Sequence, residues 1–146
     1  MESTLKLHSD DVGKLILRLT IAGLMLFHGI SKIIHGIGWL PPVLNQNGLP
    51  GFIAYGVYVA EVLAPLLLII GWQTRPAALV IAFDMIMAVG LAHRNNIFTI
   101  KTGGGGWSIE LEAFFFLGAM ALFFFGAGRY SISQGANRYA SETAGS

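Results

Sequence analysis

Four apolar blocks run along the chain, separated by breaker residues. They extend roughly from Val12 to Ile37, Phe52 to Gly71, Pro76 to His93 and Ile109 to Gly126. A hydrocarbon core about 30 Å thick takes about 20 residues of helix, with a range of about 17–25. Each block is long enough to cross. Backbone groups in lipid must pair within their own segment, which selects helix. Pro41, Pro42, Asn45, Asn47, Gly48, Pro50 and Gly51 break the first connection. Gln73, Thr74 and Arg75 before Pro76 read as a tight turn, with proline at a helix start. Gly103 to Gly106 read as a flexible linker, and residues 1–9 as a polar, mobile lead. The pattern predicts an all-α, integral membrane four-helix bundle. Residues 1–133 form one transmembrane domain and residues 134–146 a polar tail.

Composition agrees. Of 146 residues, 54% are hydrophobic and 12% charged, against about 25% charged in soluble domains. Mean hydropathy is +0.65. A net charge of +1 offers no basic face for nucleic acid. With no cysteine, the chain has no disulfide, thiolate ligand or thiol redox chemistry. The first block has a charged lead like a signal peptide, but Arg18, His28 and Lys32 interrupt it and no small-residue cleavage site follows, so it is expected to stay.

Lysine and arginine near the helix ends set orientation. Lys6, Lys14, Arg75, Arg129 and Arg138 fall on one side, Arg94 and Lys101 on the other. Both termini are therefore expected in the cytoplasm. Trp39, Trp72 and Trp107 fall near helix ends, where indole suits the interface.

Ionisable residues inside the spans carry the chemistry. Each costs about 2.5–3.5 kcal/mol at the bilayer centre on insertion scales, so such residues face the interior and pair. Arg18, His28, Lys32 and His35 fall within an arc of roughly 100° on the first helix. Single carboxylates lie on the other three: Glu61, Asp84 and Glu110. Glu112 points nearly opposite Glu110, so one of the two is expected to face the bundle. Interior ion pairing is expected between Arg18, or His28, and Glu61. Each residue also has a plainer role. Lys32, His35 and Arg18 can snorkel to the headgroups. Glu61 and Asp84 can be structural pairs, and Glu110 can cap the fourth helix. The phenylalanine runs read as packing or lipid-facing residues. A haem between His28 and His93 would need matching depth on facing helices, and no zinc motif is present. No metal is expected.

Several motifs recur in one order. Arg18 precedes Phe27-His28-Gly29 and Lys32. Ala60-Glu61-Val62 precedes Gly71 and Thr74-Arg75-Pro76. A glycine run precedes Glu110, and Gly126-Ala127-Gly128-Arg129-Tyr130-Ser131 closes the series. In this order and spacing, over about Leu15 to Ser133, the chain resembles the DoxX family of small four-helix bacterial membrane proteins. It departs from that pattern at Ala127, where proline is usual, and at Ser133, where aspartate is common. The resemblance implies a multi-pass protein of the bacterial inner membrane, linked to quinone-coupled redox chemistry. Its role would be that of a non-autonomous subunit of a membrane oxidoreductase. Partners would be the lipid bilayer, other redox-complex subunits and further copies of the chain. The expected ligand site is His28, Lys32, Glu61, Asp84 and Glu110, with a quinone as cofactor and with Asn95, Asn96 and Trp107 as a lid. Two alternatives stay open: a structural or assembly subunit, and a small-solute or proton pathway.

Overall fold

A computed structural model describes residues 2–133; the expected tail, residues 134–146, lies outside them. Five helical elements follow one another: α1 (Glu2–His35), α2 (Leu40–Gln46), α3 (Gly51–Ile70), α4 (Thr74–His93) and α5 (Glu110–Phe125). The segments Ser9–His35, Gly51–Ile70 and Thr74–His93 are long and apolar enough to cross a membrane. α5 has 16 residues, about 24 Å at 1.5 Å per residue.

The four longer helices close a ring, with α1 against α3 and α5, and α4 against α3 and α5. Their shared core holds Ile21, Met25, Leu68, Ile81, Met85, Phe115 and Leu122. Between these sit Ala64, Ala77, Ala78, Ala82 and Ala119. Small residues let apolar helices approach closely where lipid supplies no hydrophobic drive. Phe27, Ile34, Phe83, Leu117 and Phe124 stay exposed on the outside, as a lipid-facing surface requires.

Three connections differ from expectation. Residues 2–9 continue α1 as helix rather than forming a separate lead. The first connection contains α2, which starts on Pro41 and Pro42; proline fits the first turn, where its missing N–H has no helical partner. Leu44 of α2 packs with Ile37, Ala54 and Val57. The glycine run is the turn of a small hairpin, closed by an Ile100–Trp107 bridge and by Lys101 N–H donating to Gly106 O at 3.0 Å.

α3 is not uniform. A 3₁₀ turn, Gly51–Tyr55, leads through Gly56–Tyr58 into a π turn, Val59–Leu63, and then into Ala64–Ile70. Pro65 explains the π turn. Proline has no N–H for the carbonyl four residues back, and its ring crowds that carbonyl. Here that carbonyl belongs to Glu61. A second π turn, Val89–His93, ends α4. Gly71 closes α3 at φ 71°. A Cβ there would lie 2.6 Å from an Arg18 guanidinium nitrogen, so glycine meets both the backbone conformation and the space.

Candidate functional site: a buried carboxylate pair in an apolar cavity

Glu61 sits in the middle of the α3 π turn and is 4% exposed. α1 reaches it through Gly29, because a Cβ at that position would overlap the Glu61 backbone carbonyl. That close approach brings Lys32, one turn on, against the carboxylate. Lys32 Nζ donates to Glu61 Oε1 in a part-buried ion pair. The Tyr58 hydroxyl donates to Lys32 O at 3.4 Å, tying the same two helices.

Asp84 on α4 completes the cluster. Its side chain lines the same cavity as Lys32 and Glu61. Glu61 Oε2 is buried and receives no hydrogen bond from a fixed donor. One lysine and two carboxyl groups thus share the cavity, and Glu61 Oε2 is an open acceptor there.

The three residues line one wall of a cavity of about 510 Å³. Trp39, Leu40, Val43 and Leu44 roof it from the α2 region, and Val57, Phe83, Met87 and Leu91 give apolar walls. His93 lines it too, with Nε2 3.3 Å from Glu112 Oε1. Both π turns border the cavity. Such turns shift the helix face that follows and are frequent at functional sites.

Lys32, Glu61 and Asp84 of the expected site are brought together. His28 and Glu110 are not. His28 lies edge-on to Phe115, ring centroids 5.7 Å apart, and does not line the cavity. Glu110 is exposed, 3.4 Å from Lys101 Nζ at the hairpin. The bundle-facing glutamate is Glu112, which pairs with His93. Arg18 does not pair with Glu61. It is 2% exposed and donates to Ala127 O and Tyr130 O at the far end of the bundle. His35 stays on α1, bonded to Ser31. Nor do Asn95, Asn96 and Trp107 form the lid; the Trp107 indole donates to Ile97 O at 2.5 Å, and the cover comes from α2. Among the described residues, no three His, Asp or Glu side chains gather as metal ligands.

A helical chain with three membrane-length helices and an ionisable cluster in an apolar cavity defines a small multi-pass membrane protein with an internal polar site. The DoxX family model matches residues 13–94, more than half the chain, and the chain belongs to the DoxX family. The matched stretch carries Lys32, Glu61, Asp84 and His93 but not α5. A Bacillus subtilis (strain 168) protein, provisionally named oxidoreductase CatD, is 33% identical over 82 residues, 56% of this chain and 60% of that protein. The chain therefore spans less than two-thirds of that relative's length. No solved structure matches the chain.

Proposed function

We propose that this protein is a four-span protein of the bacterial inner membrane, with both termini cytoplasmic, that serves as a subunit of a quinone-linked oxidoreductase. One observation carries the reading: a lysine donor held by a buried glutamate, in an apolar cavity of about 510 Å³. Ligand pockets commonly run about 300–1,000 Å³, with few polar groups on apolar walls. A quinone presents two carbonyl acceptors on an apolar ring. Lys32 would donate to one carbonyl, and the carboxyl of Glu61 or Asp84, when protonated, would donate to the other. Val57, Met87 and the α2 roof would keep water from the ring. Bound there, a quinone supplies a two-electron, two-proton couple. The reading is of a subunit, as the family resemblance implies. The provisional oxidoreductase name of the Bacillus subtilis relative and the Lys/Arg bias of the sequence support the same reading.

The test is extraction and mass spectrometry of what co-purifies with the full chain in mild detergent. Quinone is expected in the wild type, lowered at least tenfold in Glu61→Gln and Lys32→Met and retained in His28→Ala and Glu110→Gln. The direct Lys32–Glu61 contact also suits a purely structural pair. That reading wins if wild type holds no quinone while either cavity variant loses its bundle fold.

A further inference from the structure

We propose that the open cleft at the other end of the bundle binds the phosphate of an anionic phospholipid. The cleft holds about 830 Å³. α1 gives Lys14 to it and Lys32 to the inner cavity, about 27 Å apart along the helix at 1.5 Å per residue. The two sites are therefore separate.

Lys14, Arg75 and Arg129 line the cleft. None of them belongs to an ion pair among the described residues. The carboxylate present, Asp11, accepts the Arg129 backbone N–H at 3.0 Å. Positive charge is left in excess. The floor is the start of α4. Gln73 gives that helix no side-chain cap, and Pro76 lacks an N–H, so the donors of the first turn are Thr74 and Arg75. Such a terminus favours an anion. Thr74 is 5% exposed, yet its Oγ1 has no hydrogen-bond partner among the described residues. A buried hydroxyl left unbonded costs stability unless something arrives to pair with it.

The loop carrying Arg129 is fixed in advance. Arg18, buried beneath it, donates to Ala127 O and Tyr130 O. Gly128 lets the backbone run close to Lys14, whose Cβ would sit 3.2 Å from an added side chain. The rim argues for lipid rather than free phosphate. Trp72, Phe125 and Ile132 border the cleft and are each more than half exposed. A tryptophan and aliphatic rim at the ends of membrane-length helices lies at headgroup depth, where basic clusters recruit anionic lipid.

The experiment measures binding of dihexanoyl phosphatidylglycerol, dihexanoyl phosphatidylcholine and inorganic phosphate to the full chain in uncharged detergent, by native mass spectrometry. Phosphatidylglycerol should bind at least tenfold tighter than either other probe. The Arg75→Gln/Arg129→Gln protein should lose that preference, while Lys101→Gln, at the opposite end, keeps it. Thr74→Val should weaken phosphatidylglycerol several-fold and Thr74→Ser should restore it; this pair keeps the charge, so it decides the matter if the double variant does not fold. Equal binding of the two lipids, or a preference that survives both sets of variants, overturns the proposal. Inorganic phosphate binding as tightly as phosphatidylglycerol also overturns it, since the site would then hold a free anion.

Discussion

Gly29 controls how α1 meets α3, and Gly29→Ala measures it. The added Cβ would overlap the Glu61 carbonyl and lie 2.7 Å from both the Glu61 carbonyl carbon and Val62 Cγ2. The carbonyl is backbone in a π turn and cannot rotate away. The helices must separate by roughly an ångström to reach ordinary van der Waals contact. Overpacking of this kind costs about 1–3 kcal/mol. The shift also draws Lys32 off Glu61, so the upper half of that range is expected. Intrinsic propensity acts the other way, since alanine is favoured over glycine in a helix interior by roughly 0.5–1 kcal/mol. Gly23→Ala is the control, because a Cβ there meets nothing within 4 Å. The pair should have opposite signs: Gly23→Ala neutral or stabilising by up to about 1 kcal/mol, Gly29→Ala destabilising by about 2 kcal/mol. Unfolding in mixed micelles of lipid and denaturing detergent reads both. If the two variants shift stability equally, α1 does not lie on the Glu61 carbonyl as described.

Lys32→Met and Glu61→Gln should each cost about 3–5 kcal/mol in the same unfolding assay, and the double variant should recover part of the loss; simple additivity would reject the pair. Glu110→Gln should change stability by less than about 0.5 kcal/mol, because an exposed pair contributes little; a loss above about 2 kcal/mol would restore Glu110 to the interior. Arg18→Met should cost about 3 kcal/mol from two charge-assisted hydrogen bonds and make the chain cleavable by trypsin after Arg129, with quinone occupancy unchanged; a protected loop would refute its anchoring role. An alkaline phosphatase fusion at Asn47 should be active and a cytoplasmic fluorescent reporter there dark, and the opposite result reverses the proposed topology.

The helices were readable because their apolar blocks are long and their breakers dense. Which residues meet inside was only partly readable. Lys32, Glu61 and Asp84 stand out as ions in lipid-length segments. The partner of Glu61 did not, because it depends on Pro65 freeing a carbonyl and Gly29 admitting it, two residues that carry no charge. Arg18 was expected at Glu61 on the assumption that a buried cation needs a carboxylate; instead backbone carbonyls accept it. The choice of Glu110 over Glu112 failed because α5 reads Glu-Leu-Glu-Ala-Phe-Phe-Phe-Leu. A helix apolar on every side has no phase, so only packing against α4 decides which glutamate turns inward. The α2 roof was hidden by reading Pro41 and Pro42 as breakers, when the same pair also fits a helix start.

Two cations of α1, buried Arg18 and part-buried Lys32, are met in different ways, and the difference separates anchor from site. Arg18 is met by main-chain carbonyls of one loop. Those acceptors are fixed, cannot take up or release a proton, and are occupied by the guanidinium. Lys32 is met by a carboxylate that keeps a second oxygen, with another carboxyl on the same cavity. A pure anchor would need only one carboxylate for one lysine. The additional Asp84 places a second carboxyl in a low-dielectric interior, which costs stability. A group that is costly to the fold and borders a cavity is more readily explained by what it does for a ligand than by what it does for the bundle. Asp84→Asn separates the two, since it keeps size and hydrogen bonding while removing the proton-accepting site. Stability equal to or above wild type, together with loss of quinone retention, is the outcome expected of a site. Lost stability with unchanged retention would make Asp84 part of the scaffold.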